Sequence, residues 1–228
     1  MFEIHLLVCP TQENLLNSVI CRIYPTLLCM KVMATVTSTG CTRQPMLSGF
    51  CNGSYDNAYM LAREIRTNME ANGLTVVRLK IEQLILFNTN HTNDTIDTID
   101  TIDITGNTYY ESHVKIDMSP PYNDYERLAR LCLSHGIQLL FNPYSNKIAP
   151  VTTMRLYGVS KKYFEMKHNE FINDLNDNEF TIYKQHLEMG VYDDNVFTDK
   201  GWLFSGDDYK IPITEVDCVE RLRLPREL

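Results

Sequence analysis

The chain has 228 residues, 44% hydrophobic, 22% charged and 10% aromatic, enough to bury the core of one large domain or two small ones. This composition excludes a collagen, a coiled-coil rod, a disulfide-stapled miniprotein and a wholly disordered chain. Lysine and arginine number 21 against 29 aspartates and glutamates, a net charge of −8, so no global basic surface for DNA is expected.

In chain order, the alternating residues 2–9 predict a strand, 12–24 a helix, and 29–38 and 44–51 two further strands. Ser54 is placed to cap a helix over 54–72, and 75–86 predicts a strand. Residues 88–108, with their Asn-Thr tract and repeated Thr-Ile-Asp triplets, fit neither period and read as a flexible low-complexity linker. Beyond it come a strand at 109–117, a helix at 123–135 opened by Asn123 and Glu126 in capping-box spacing, and strands at 137–142 and 151–157. A helix at 160–176 and a strand at 180–192 follow. Residues 193–228 form a turn, a short strand and a tail. Within that turn the acids of Tyr192-Asp193-Asp194-Asn195 and Asp199 read as side-chain caps, since their spacing is not that of an EF-hand loop. Trp202 reads as a core plug, and the tail Glu220–Glu227 as a packing or partner contact. His135 closes the 123–135 helix, where its charge suits the carboxyl-terminal dipole, and His91 falls in the linker.

Several landmarks recur on the two sides of the linker. Glu3 and His5 match Glu111 and His113, residues 74–82 match 180–188, and Ser54 and Asn72 match Ser160 and Asn178. These spacings agree within two residues, which predicts an α+β protein of two tandem βαββαβ, ferredoxin-like halves with antiparallel sheets, pseudo-duplicated, at 1–87 and 109–192. Each half is expected to carry its own four-stranded sheet, with helices on one face and the open faces free to pack together.

Side-chain alternation sorts the ionisable residues onto faces. Glu3 and His5 oppose Phe2, Ile4, Leu6 and Val8, while Glu111, His113 and Lys115 oppose Tyr110, Ser112 and Val114. Arg78, Lys80 and Glu82 share a face, as do Lys184, His186 and Glu188. With Arg155 and Tyr157 they predict two polar clusters. The bland alternative is the solvated side of an antiparallel sheet. Histidine among lysine and arginine suits a phosphate-bearing ligand, and glutamate among them suits a divalent cation, the candidate cofactor, bridging phosphates. His113, His186 and His5 are the acid–base candidates. Lys115, Arg155, Glu111, Glu188, Lys80 and Glu82 are the ligand-binding candidates. P-loop, Rossmann, zincin and α/β-hydrolase motifs are absent from the sequence.

The seven cysteines are odd in number, lack a C-x-x-C pair and read as reduced thiols. No signal peptide and no membrane span are expected, so the chain reads as cytoplasmic and not secreted.

The layout with a strand histidine in each half, in the triplets His5-Leu6-Leu7 and His113-Val114-Lys115, resembles the 2H phosphoesterases, which carry His-x-Thr or His-x-Ser and process RNA ends and cyclic nucleotides. Glu111-x-His113-x-Lys115 also resembles the Glu-x-Glu-x-Lys strand of triphosphate tunnel enzymes. Arg78–Glu82, Tyr109–Ile116 and Tyr192–Trp202 together are similar to a family of uncharacterised microbial proteins without an assigned activity. The implied function is a phosphoesterase-like or phosphate-binding protein acting on nucleotides or RNA ends. Two alternatives stay open: a non-catalytic interaction or scaffold protein, and a homo-oligomer that uses the open sheets as its interface.

Overall fold

A computed structural model describes residues 1–23, 28–37, 40–85, 108–118, 124–140 and 149–196, with the backbone alone for 20–23, 28–37 and 40–42. Its elements are β1 (Phe2–Val8), α1 (Glu13–Ile23), β2 (Leu28–Thr37), β3 (Gly40–Cys51), α2 (Tyr55–Ala71) and β4 (Val76–Ile85), then β5 (Tyr109–Asp117), α3 (Tyr125–Ser134), β6 (Gln138–Leu140), β7 (Val151–Tyr157), α4 (Lys161–Asp177) and β8 (Thr181–Asp193). The linker at 88–108 with His91, the tail beyond 196 with Trp202, and Asn123 of the proposed capping box lie outside the described residues, Thr108 apart.

Local chemistry accounts for the helix ends. Ser54 accepts from the Asn57 amide, and the Asn57 side chain accepts from the Ser54 amide, which satisfies two of the unpaired amino-terminal donors of α2. Ser160 caps α4 by accepting from Tyr163 at 3.3 Å. At the carboxyl ends the chain reverses and the next apolar residue closes back: Leu74 onto Met69, Ile137 onto Cys132 and Phe180 onto Leu175. These are Schellman-type bonds. Each drops an apolar side chain into the core just before a strand or at its start.

All eight strands belong to one antiparallel sheet, in the order β2-β3-β1-β4-β8-β5-β7-β6. This overturns the expectation of two tandem ferredoxin-like halves with separate sheets, and the pseudo-duplicated reading with it. Strand β4 pairs with β8, from Lys80↔Asp193 to Ile85↔Leu187. The physical reason is that period-2 patterning states which residues share a face and is silent about which strand edges meet. Left apart, β4 and β8 would each expose a row of amide and carbonyl groups, and pairing satisfies both rows. The faces therefore join edge to edge; they do not pack one on the other.

The sheet curls into a half-barrel. Register shifts at Leu7/Val8, Ile81/Glu82 and Lys115/Ile116 mark bulges, which bend strands and add twist. Cα atoms of the outer strands β2 and β6 come within 8 Å of each other. The helices cover the apolar face. Ile4, Leu6, Leu47, Leu79 and Ile81 pack against Leu16 and Val19 of α1 and Ala58, Ala62, Ile65 and Met69 of α2. Val114, Ile116, Met154 and Leu187 pack against Leu128 and Cys132 of α3 and Phe164, Phe171 and Leu175 of α4. The acidic and basic residues of β1, β4, β5 and β8 are left on the concave face. Among the described residues no helix is long and apolar enough to cross a membrane, and Cys9, Cys51 and Cys132 are free thiols.

Candidate functional site

Four central strands, β1, β4, β8 and β5, bring the sequence-predicted residues onto one surface. Direct cross-strand partners are Glu3↔Glu82 and His5↔Lys80 on β1 and β4. On β5 and β8 they are Glu111↔Glu188, His113↔His186 and Lys115↔Lys184. Directly opposed side chains have Cβ atoms about 5 Å apart, so like faces like at successive steps along β5 and β8. Like charges placed this way oppose sheet formation.

The deeper glutamates are neutralised from the sides. Lys80 Nζ donates to Glu82 Oε1 at 2.7 Å and lies 3.5 Å from Glu111 Oε2. Arg155 forks onto Glu111, with Nε 3.0 Å and Nη2 2.8 Å from Oε2, and its guanidinium sits 4.5 Å from the centre of the Tyr109 ring. The Tyr109 hydroxyl donates to Glu82 Oε1 at 3.2 Å. Arg78 forks onto Asp193, Nε to Oδ1 at 2.9 Å, behind Lys80. Burial would raise the Glu82 carboxyl, but Lys80 and His5 outweigh it and hold Glu82 well below the usual carboxylate range. Burial, with Glu82 nearby, raises Glu188, partly offset by His113. Buried Lys80 would lose its proton more easily, yet Glu111 and Glu82 keep its pKa above the ordinary value.

His5 and His113 are built alike. His5 Nδ1 lies 2.7 Å from Ser48 Oγ, and His113 Nδ1 lies 2.9 Å from Thr153 Oγ1. Each hydroxyl comes from the residue directly opposite on the neighbouring strand, β3 or β7. The far nitrogen turns to carboxylates: His5 Nε2 is 2.8 Å from Glu82 Oε2, and His113 Nε2 is 3.3 Å from Glu111 and 3.5 Å from Glu188. The pairs differ in access. The His5 side chain is 8% exposed and that of His113 is 23% exposed, and exposure rises further along β5 and β8, through half-buried His186 and Lys115 to exposed Lys184.

The facing histidines have opposed electrostatics. Burial works against a charged His113, but Glu111 and Glu188 overcome it and raise its pKa above the ordinary value. For His186, burial followed by Lys184 and His113 lowers it. The His113 environment thus favours the cationic form and that of His186 the neutral form, the arrangement that divides acid and base roles between two titratable groups.

Every sequence-predicted site residue lies on the concave face. His5, Lys80 and Glu82 form its closed end, and His113, His186, Lys115 and Lys184 its open one. Glu111, Glu188 and Arg155 lie between. Ser48, Thr153, Tyr109 and Asp193 were not among the expected site residues. For Ser48 and Thr153 parity places them on the polar faces of their strands, and the register sets them opposite His5 and His113. Asp193 does cap a turn as expected, accepting from the Asn195 amide at 3.1 Å, but its main partner is Arg78. His135 closes α3 as expected and lies 2.7 Å from Asp174 of α4. Among the described residues no three His, Cys, Asp or Glu side chains gather so as to hold a metal ion.

No protein-family model matches the chain, and no curated protein matches it. One solved structure, described as that of an anthrone oxidase-like protein, is similar at 10% identity over 84% of this chain and 92% of that one, with a TM-score of 0.27. A likeness at that level carries no argument about fold or function.

Proposed function

We propose that the protein binds a phosphate-bearing ligand, a nucleotide or an RNA end, at the open end of β5 and β8 and performs acid–base chemistry on its phosphoester. The observation that carries this reading is the ladder of facing like residues, His113↔His186 followed by Lys115↔Lys184, at the accessible end of the concave face. Lys115 and Lys184 face one another, and a phosphate between them accepts charge-assisted hydrogen bonds from both. Neutral His186 accepts the proton of the attacking water or hydroxyl, and cationic His113 donates one to the departing alkoxide oxygen. Lys115 and Lys184 offset the charge that develops on the phosphoryl oxygens. Glu111 and Glu188 hold His113 protonated, and Thr153 fixes its ring.

The test is turnover of 2′,3′-cyclic nucleotides, 3′,5′-cyclic nucleotides and nucleoside triphosphates, with and without Mg²⁺, by wild type, His113→Ala and His186→Ala. Loss of about 100-fold or more in kcat in both variants, with unchanged melting curves, is the expected result. Equal turnover in all three overturns the assignment. A second reading, phosphate binding without turnover, is favoured by His113 having both nitrogens engaged, one by Thr153 and one by carboxylates. It predicts saturable binding of phosphate esters with none hydrolysed.

A further inference from the structure

We propose that His168 of α4, on the opposite face of the sheet, is a positioning residue for the His113–His186 pair, acting through Ser112 and Gln185; this rests on the reading of that pair as the working end of a phosphate site. Ser112 precedes His113 on β5, and Gln185 precedes His186 on β8. Because strand side chains alternate, both point away from the concave face, towards α4. Ser112 Oγ lies 2.8 Å from His168 Nδ1, and Gln185 hydrogen-bonds the same ring. His168 is 1% exposed and sits among the Phe164, Phe171 and Leu175 packing of the helix. One imidazole therefore joins the two strands behind the register step where His113 faces His186.

The chemistry of the ring suits that task. A neutral imidazole has one donor and one acceptor nitrogen in a fixed plane, and burial lowers the pKa of His168, which keeps it neutral. It can hold a hydroxyl on one strand and an amide on the next at fixed separation. An apolar residue would fill the space without fixing it. Just beyond this step the ladder shifts between Lys115 and Ile116, where Tyr183 is the extra residue on β8. A bulge is where strand register yields most easily. A clamp one step away holds the histidine pair face to face against that slip, and reacting groups displaced by about 1 Å lose on the order of 100-fold in rate.

The ordinary alternative is a core histidine that stabilises the fold and nothing more. The two are separated by following the imidazole C2 protons of the full chain by NMR through a pH titration, with inorganic phosphate as the ligand probe. The variants are His168→Phe, His168→Gln and Ser112→Ala. His135 is the internal control, because it reports on α4 through Asp174 while lying away from the concave face. In wild type His113 and His186 should titrate on opposite sides of the ordinary histidine value. In His168→Phe the two curves are expected to converge by about half a unit or more, a differential of roughly 0.7 kcal/mol, and phosphate affinity to fall severalfold, with the His135 curve unmoved. His168→Gln, which keeps a donor and an acceptor, should restore part of both effects. Ser112→Ala should reproduce them even if His168→Phe does not fold. Unchanged His113 and His186 curves in the folded variants, or an equal displacement of His135, overturn the proposal. Absence of phosphate binding by wild type would instead overturn the phosphate reading, while the two curves still report on the clamp.

Discussion

The two ends of the concave face use nearly the same residues to opposite ends. On β1 and β4 a facing glutamate pair, Glu3↔Glu82, is followed by His5↔Lys80. On β5 and β8 the pair Glu111↔Glu188 is followed by His113↔His186. Both strand histidines take a hydroxyl on Nδ1 from the neighbouring strand. Where lysine faces histidine, the charges close on each other and water is shut out. Where histidine faces histidine and lysine faces lysine, the side chains are more exposed. Two steps differ: the strand histidine faces Lys80 at one end and His186 at the other, and the next step is Leu7↔Arg78 at one end and Lys115↔Lys184 at the other.

The largest expected effect breaks that comparison at its carboxylates. Glu82 holds Lys80, approaches His5 and accepts from Tyr109, so Glu82→Gln takes a buried counter-charge from Lys80 and is expected to cost about 3–5 kcal/mol in urea unfolding. Glu188, whose ionised form is disfavoured, should lose little or nothing as Glu188→Gln. The pH dependence follows with opposite signs. The Glu82 contribution is present above the usual carboxylate range and is lost as pH falls through its depressed value in the folded protein. The Glu188 contribution is fullest below the usual range and fades as pH rises through its raised value. Equal costs for the two variants at neutral pH would show that the ends are not electrostatically distinct.

Next in size is Gly190→Ala. Gly190 stands opposite both Glu82 and Tyr109, and a Cβ there would collide with the Tyr109 ring. The ring needs the bare backbone so that its hydroxyl reaches Glu82 and its face meets Arg155. Alanine is expected to cost about 1–3 kcal/mol through overpacking, with loss of the depth of the closed end more than of the open one. Unchanged stability in thermal unfolding would mean that Tyr109 does not tie the two ends together.

How far this was legible in the sequence depends on the kind of information each feature carries. Strand and helix positions were readable, because alternation at Phe2–Val8 and Tyr109–Asp117 and the caps at Ser54 and Ser160 are local. The membership of the concave face was readable for the same reason: parity alone groups Lys80 with Glu82 and His186 with Glu188. The single sheet was not, since the β4–β8 pairing depends on which exposed edges meet, and nothing in residues 76–85 or 181–193 names the partner. Nor was His168 visible as anything but one turn of an amphipathic helix, because its partners, Ser112 and Gln185, belong to two different strands.

A smaller effect tests the open end by linkage. His113 has a raised pKa in the folded protein, so the stability that its charge supplies is fully present below the ordinary histidine pKa and is lost as pH rises through the folded value. His186, with a lowered pKa, behaves in the reverse sense: its contribution is complete above the ordinary value and is lost as pH falls through the folded one. The stability difference between wild type and His113→Gln should therefore shrink as pH rises from about 6 to 9, and that for His186→Gln should shrink as pH falls from about 7 to 5. Parallel profiles would mean that the facing rings are electrostatically equivalent, and the division of acid and base roles would go with them.

The smallest expected effect carries the comparison from the sheet to the helix ends that deliver its strands. After α2 the chain turns through Asn72 and Gly73, with φ of 84° at the glycine, and after α4 through Asn178 and Glu179, with φ of 61° at the glutamate. Both turns close with the same amide-to-carbonyl bond, Leu74 to Met69 and Phe180 to Leu175, so the backbone asks for the same left-handed residue at both. Glycine meets that demand freely, whereas a residue with a Cβ pays about 1 kcal/mol or somewhat more there. Glu179 is exposed, and its carboxylate also stands beside the negative end of the α4 dipole. Glu179→Gly is therefore expected to stabilise the protein by about 1 kcal/mol in urea unfolding, with His113 and His186 titrating as before. A gain in stability accompanied by displaced histidine curves would instead mean that strain at the end of α4 reaches β8 and helps to set the pair, which would place the start of that strand among the parts that hold the open end in its working geometry.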